Sequence, residues 1–491
     1  MRFRKLAIFS TKYLLIGALA LLVAYYLSVP LGRAFLHCEW NYNEGWNLYQ
    51  AQRVLDHLPL YPSKTGWTLN NYPAFSFVIS AALYPFTHDL LFTGRALNVI
   101  GLFVTAILMG GIGHRLGFTR MASLLTGLFT LAVFATPAWS YVGIYDPQML
   151  AQCFLVAAIF VYLGGRRSTA HLVLTVLLFL IGLFIKHNQI DLPLAVLVDL
   201  FLISRRRAIY SAIGAAVGAS GMVALHLHLW GAAFVSLLVG GRVYSYEQLC
   251  HYSMGYALLL AFPLLMAVTT AYRERKNADR WILHFLLLFS VVLGVYFSGG
   301  IGVSVNTFFS AFLAIVLLNG ASFERLLSAD AGLKLGAAAE IAGSFLWLLI
   351  VPWLYWQGLN PVAELNRMRQ SEAAYHDEVQ FLHQHSGDAI CESLLACAEG
   401  GKAFVVDPFN ATREFETGAL PDAALVEAIA QHRFGVIELL AQRGEAAKSH
   451  RFTPQVMAAI GRNYRIAQNA GDHVLCLPVG SGSDSGVPCQ Q

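Results

Sequence analysis

Apolar residues run in long blocks through the first three quarters of the chain, and then the pattern changes. The blocks lie near 11–35, 95–113, 121–138, 147–163, 169–186, 189–203, 208–230, 255–271, 281–298, 304–319 and 334–357. A helix needs about 20 apolar residues to span the hydrocarbon core. The blocks predict an α-helical polytopic membrane domain over residues 1–358, with about 11 transmembrane helices. Residues 359–491 read differently. Helix-like stretches at 366–385, 421–432 and 454–462 alternate with short apolar runs at Ala389–Glu392, Ala403–Asp407, Gly435–Leu439 and His473–Leu477. Such alternation predicts a small soluble α/β domain. It ends in a loose Gly/Ser-rich tail from Gly480.

Charge placement supplies the topology. The start carries Arg2, Arg4 and Lys5, and no A-x-A-like cleavage site follows the run Tyr13–Pro30. An uncleaved first helix with a cytoplasmic N-terminus is therefore expected. The basic loops His114–Arg120, Arg166–Arg167, Arg205–Arg207 and Arg273–Arg280 then all fall inside, provided that the apolar segment 72–92 does not cross. That is the arrangement the positive-inside rule favours. It predicts one long outer loop, about 36–94, whose juxtamembrane helices lie on the membrane. An odd number of crossings places the C-terminal domain outside.

Composition adds little to this picture. The chain is 57% hydrophobic and 13% charged, against about 25% charged in ordinary soluble domains. The net charge of +4 sits in short loops. No basic stripe interleaved with aromatics appears, so nucleic acid is not an expected partner. Four of the seven cysteines, Cys391, Cys397, Cys476 and Cys489, fall in the C-terminal domain. Disulfides there suit an oxidising compartment. Cys391 with Cys397 is one pairing, but spacing does not fix connectivity, and free thiols are the alternative. No paired CxxC spacing signals a zinc site.

Three places on the outer side bear chemistry. Glu44 opens a stretch in which Leu48, Ala51 and Leu55 recur at helical spacing beside Trp46 and Tyr49. This predicts a short helix in the membrane interface, where such rings prefer to sit. Its carboxylate would either cap the helix or act as a general base at the membrane surface. Asp146 precedes Pro147, as an N-cap residue often does. Lys186-His187-Asn188-Gln189 lies between two apolar blocks, where a cation needs a partner, water or a ligand. Lys186 would bind a phosphate, pair with Asp191 or snorkel. Arg242 in the outer loop 240–246 is a second cation. Asp199 is expected to pair with the Arg205 cluster, and His226 and His228 to lie at the interface.

Taken together, these segments resemble the bacterial GT-C glycosyltransferases of the dolichyl-phosphate-mannose protein mannosyltransferase-like superfamily, which includes the lipid A aminoarabinose transferases. Asn43-Glu44-Gly45, Tyr49 through Arg53, Leu60-Tyr61 and Asn71-Tyr72-Pro73 carry the first match. The acidic pair of the family is reduced here to Asn43-Glu44, and its second proline is Ala74. Asp146 through Leu150 is similar to the second acidic motif in altered order, and Phe184 through Gln189 to a Lys-Gln-Thr-like step. Ser298 through Asn306 resembles a Gly-rich outer loop. Phe404 through Phe409, Phe434 through Ile437 and Tyr464 resemble the soluble domain of one branch.

The resemblance implies a GT-C-like fold in the bacterial inner membrane, with the active site and the C-terminal domain periplasmic. It implies inverting transfer of a hexosyl or pentosyl unit from a polyprenyl-phosphate donor to a hydroxyl of an envelope glycan, lipid or protein. Glu44 is then the expected base, with Asp146 orienting the acceptor. Lys186 and after it Arg242 would neutralise the donor phosphate. Asn43, Tyr72, His187, Gln189 and Asn306 would line the substrate site. No ligand set requires a cofactor, although a divalent ion would do the work of Lys186 equally. Rival classes are a carrier or flippase for a lipid-linked sugar, an oligosaccharide polymerase or ligase, and a scaffold.

Overall fold

The computed structural model describes residues 2–61, 66–240, 243–328, 343, 346–350, 360–441, 451–480 and 486–489. The first predicted block forms α1 (Arg2–Arg33), followed by the segment expected to be the long outer loop. That loop folds into α2 (Tyr42–Leu55) and α3 (Phe75–Thr87). The next blocks form α4 (Leu90–Arg115), α5 (Arg120–Ala135), α6 (Gln148–Gly164), α7 (Thr169–Ile185), α8 (Asp191–Ile203) and α9 (Arg205–Trp230). After the short α10 (Phe234–Leu238) come α11 (Tyr246–Leu259), α12 (Ala261–Glu274), α13 (Trp281–Ser298) and α14 (Phe309–Ser328).

Every predicted block through 304–319 coincides with helix, but their lengths differ. Among the described residues, five helices are long and apolar enough to span a bilayer, and six if the bent pair α11–α12 counts as one. The shorter α5, α6 and α7 have 16, 17 and 17 residues, and α8 has 13. Most of the block 334–357 lies outside the described residues. The apolar α3 is 13 residues long, or about 20 Å, well short of the ~30 Å hydrocarbon core.

The expected single span 255–271 is instead broken at Leu260, where α11 and α12 meet at 80°. Pro263 explains the break. It has no N–H to donate to the Leu259 carbonyl four residues back. That carbonyl accepts the Trp347 indole N–H at 2.7 Å instead. The helices differ in burial too: 94% of the α14 span is buried, against 6% for α9. So α14 is the central post of the bundle, with α5, α12 and α13 around it, and α9 stands at the rim.

The C-terminal domain begins with α15 (Pro361–Gln384), whose Asn360 side chain caps the first turn. Four strands follow: β1 (Asp388–Cys391), β2 (Phe434–Leu440), β3 (Tyr464–Ala470) and β4 (His473–Pro478). They form one sheet in the order β1-β2-β4-β3, parallel at β1–β2 and antiparallel elsewhere. Between them lie α16 (Leu394–Glu399), α17 (Pro408–Glu416), α18 (Ala423–Ala430) and α19 (Pro454–Asn463). Cys391–Cys397 and Cys476–Cys489 are disulfides.

Two strand expectations change. Ala403–Asp407 is extended but joins no sheet. Instead it bridges Trp67 of the outer loop through Val406, and Asp407 N–H donates to the Trp67 carbonyl at 2.8 Å. Tyr464–Ala470 is an edge strand whose polar residues hid it, since an edge needs only one buried face.

The C-terminal domain docks directly on α2. At Gly45 a Cβ would lie 2.1 Å from the Leu395 backbone nitrogen, so only glycine fits. Tyr49 stacks on Phe404 with centroids 4.6 Å apart. The Ser393 hydroxyl and Leu395 N–H both donate to Glu39. Thus α2, expected in the membrane interface, is buried between the two domains, with Trp46 at 3% and Tyr49 at 7% exposure.

Candidate active-site cavity

A cavity of about 640 Å³ opens where one end of the helix bundle meets α2 and α17. Its wall includes Tyr42, Asn43, Tyr72, Lys186, His187 and Asn306 from the membrane domain. The C-terminal domain contributes Phe409, Asn410, Arg413 and Glu414.

Lys186 is the C-cap residue of α7. Its side chain is only 3% exposed. The Nζ lies over the Tyr72 ring, 3.5 Å from the centroid, and has no hydrogen-bond partner among the described residues. A buried ammonium needs a counter-charge, and a ring face supplies only part of one. Asn188 Oδ1, in the next wall position but one, is also buried and unpaired.

On the opposite wall the Asn43 amide donates to Asp146 Oδ2 at 3.0 Å. Asp146 Oδ1 accepts the Gln148 N–H at 2.8 Å and so starts α6. The Gln148 side chain continues to Asn306: Gln148 Nε2 donates to the Asn306 carbonyl, and Asn306 Nδ2 donates to Gln148 Oε1, both at 3.4 Å. This chain of amides fixes the groups facing the cavity.

Glu44 is placed otherwise. It is fully buried and does not line the cavity. Arg95 grips it in a bidentate pair, Nε to Oε1 at 2.7 Å and Nη2 to Oε2 at 2.9 Å. Tyr145 N–H donates to Oε1 at 2.9 Å and Trp40 N–H to Oε2 at 2.8 Å. The remaining donors of Arg95 reach the carbonyls of Arg33, Leu36 and Cys38. Four donors thus occupy the two oxygens. These contacts join α1, α2, α4 and the Tyr145 turn around the carboxylate that was expected to act as the base.

The other expected residues divide in the same way. Tyr72, His187 and Asn306 line the cavity; Gln189, 4% exposed, lies behind the wall with both amide atoms unpaired. Arg242 lies outside the described residues. Asp199 is held by the Tyr162 hydroxyl at 2.6 Å and by Arg166 at 3.7 Å, so its partner is not the Arg205 cluster. His226 is fully buried, and its Nε2 accepts the Ala74 N–H at 3.2 Å.

Sequence reasoning missed Arg95, although it heads an apolar block and a membrane-embedded charge calls for a partner. It also missed Asp407. That residue caps α17, accepts the Tyr42 hydroxyl at 2.5 Å and the Trp46 indole at 3.0 Å, and so seats α17 over the cavity. Burial pushes its carboxyl above the ordinary range, against the pull of Tyr42, Asn410 and Trp46. Among the described residues, the one cluster of three metal-ligating side chains lies in the C-terminal domain and not at this cavity.

No protein-family model and no curated protein matches the sequence. Solved structures do. ArnT from Cupriavidus metallidurans, both in its apo state and bound to undecaprenyl phosphate, is similar with a TM-score of 0.61 over 95% of this chain and 98% of that one, at 13% identity. An oligosaccharyltransferase of Archaeoglobus fulgidus, tethered to an acceptor peptide, is similar with a TM-score of 0.51 over 87% of this chain and 69% of that one, at 11% identity. The chain has the GT-C fold. In it the cavity opens beside α2, which contributes Tyr42, Asn43 and Trp46 to the wall.

Proposed function

We propose that the chain is a membrane glycosyltransferase that moves a sugar from a polyprenyl-phosphate donor to an acceptor hydroxyl, with inversion, at the periplasmic face of the inner membrane. One observation carries the reading: the buried Lys186 ammonium, without a hydrogen-bond partner among the described residues, on the wall of a cavity at one end of the helix bundle. An anionic headgroup would complete its charge while the lipid tail stayed in the bilayer. The similarity to a structure bound to undecaprenyl phosphate supports the same class of donor. The two disulfides support an oxidising compartment for the C-terminal domain.

In the transfer, the acceptor oxygen bonds to the anomeric carbon as the carbon–oxygen bond to the phosphate breaks. The bonding pair leaves on the polyprenyl phosphate, whose charge meets Lys186. The hydroxyl proton passes to a carboxylate. Asp146, which reaches the cavity wall through Asn43, suits that role better than Glu44. The requirement is hydrogen-bond reach of the acceptor proton. Arg413 and Glu414 from α17 face the same space and would meet the acceptor.

The test is transfer from a polyprenyl-phosphate-linked sugar by the purified full chain in nanodiscs. Lys186→Gln and Asp146→Asn should each lower turnover by about 10²-fold or more, as loss of a charge-stabilising or acid–base group does. Movement of the lipid across the bilayer without sugar release would establish a flippase instead.

A further inference from the structure

A second cluster of titratable groups lies in the C-terminal domain, away from the cavity wall. Glu378 comes from α15, Glu438 from β2, and His473 is the first residue of β4. His473 Nδ1 lies 2.9 Å from Glu378 Oε2 and 3.1 Å from Glu438 Oε1. One donor atom from each residue lies within 4.8 Å of the other two.

This cluster is short of positive charge. Glu378 is 2% and Glu438 0% exposed. His473 Nδ1 is hydrogen-bonded to Glu378 Oε2, while Glu378 Oε1 and Glu438 Oε1 are both buried with no hydrogen-bond partner among the described residues. The other Glu438 oxygen accepts Ser393 N–H at 2.8 Å, which fixes the carboxylate in place. Burial, then Glu378 and Glu392, push the Glu438 carboxyl above its ordinary range, against the pull of His473.

We infer that Glu378, Glu438 and His473 bind one divalent transition ion of the zinc or manganese class. The donor set fits in kind, since imidazole nitrogen and carboxylate oxygen are the ligands these ions accept. It also fits in size. Bonds of about 2.0–2.1 Å place tetrahedral donors about 3.3 Å apart, so the two His473–carboxylate pairs need open by only a few tenths of an ångström, and the two carboxylate oxygens lie within 4.8 Å of each other. Three protein ligands leave the fourth position to water. His473, with 23% of its side chain exposed, marks the way in. The imidazole must shed its Nδ1 proton to bind, so metal uptake releases a proton. The ion would tie α15, the helix that leads from the membrane domain, to the two central strands of the sheet.

The full chain, purified in detergent and stripped with a chelator, is titrated with zinc and analysed for bound metal. One zinc per chain and a raised melting temperature are expected, with cobalt giving a visible absorption band of a low-coordinate N/O site. Glu378→Gln and His473→Ala should bind zinc at least about tenfold more weakly, since even second-shell changes cost 10–100-fold. The cobalt spectrum of the unaltered protein decides the matter if either variant fails to fold. Wild-type protein with neither bound zinc nor a cobalt band overturns the inference and leaves a proton-sharing Glu–His–Glu triad. So does zinc bound equally well by both variants.

Discussion

Glu44 and Lys186 are both deeply buried charges singled out in the sequence, yet their surroundings are built in opposite ways. Around Glu44 every oxygen is matched: Arg95 and two backbone N–H groups fill the carboxylate. Around Lys186, among the described residues, the ammonium has a ring face and no hydrogen-bond acceptor, and neighbouring amide atoms of Asn188 and Gln189 are unpaired. Buried polar groups are costly when unpaired. A saturated cluster therefore reads as architecture, and an unsaturated one beside a cavity as a place for a ligand. Charge and burial are shared by both sites; only partner counting separates them.

The comparison breaks most sharply at Arg95. Arg95→Met strands the buried Glu44 carboxylate, and removing one partner of such a pair costs about 3–5 kcal/mol. The purified variant should show a much lower melting temperature or fail to accumulate. Lys186→Gln, by contrast, should melt within a degree or two of the wild type, because it deletes an unpaired charge. Equal losses in the two variants would erase the distinction.

A smaller effect concerns the domain that roofs the cavity. Cys476→Ser removes a cross-link that closes 13 residues of chain, worth about 3 kcal/mol by loop entropy. Limited proteolysis should cut the C-terminal segment faster, while donor-phosphate binding at Lys186 persists. Loss of both would show that the donor site depends on the roof.

The smallest effect is a pH dependence at the docking seam. His37 sits between Asp89, the N-cap of α4, and Glu399 of the C-terminal domain, at 3.2 and 3.6 Å. Hydrogen bonds to Asp89 and Glu399 raise its pKa from 6.5 to about 10, against the effect of burial. A raised histidine pKa means the contribution is fully present below pH 6.5 and lost as pH climbs through about 10. The side chain is 49% exposed, so solvent screening keeps the gain small. Melting curves between pH 6 and 10.5 should slope downward in wild type and flatten in His37→Ala.

Much of this was legible in the chain. Run length marked the membrane helices, because bilayer thickness imposes it. Asp146, Lys186 and His187 stood out as polar residues at the ends of apolar blocks and Asn43 through the family motif; three of the four line the cavity, with Asp146 one hydrogen bond behind. The role of Glu44 was not legible, because it depends on Arg95, 51 positions away. Nor was the contribution of α17, which reaches the cavity only because Asp407 meets Tyr42 across 365 positions. Partners that distant leave no periodic trace. The break at Leu260 was partly written in Pro263, but the Trp347 indole that replaces the missing donor was not.

The central claim is that Lys186 awaits a lipid phosphate. Its most direct test is equilibrium binding of undecaprenyl phosphate to the full chain in nanodiscs, for wild type and Lys186→Gln. A hydrogen bond to a charged group is worth about 1.5–3 kcal/mol, so the variant should bind about 10–100-fold more weakly while keeping its melting temperature. Unchanged affinity in a well-folded Lys186→Gln protein would contradict the account.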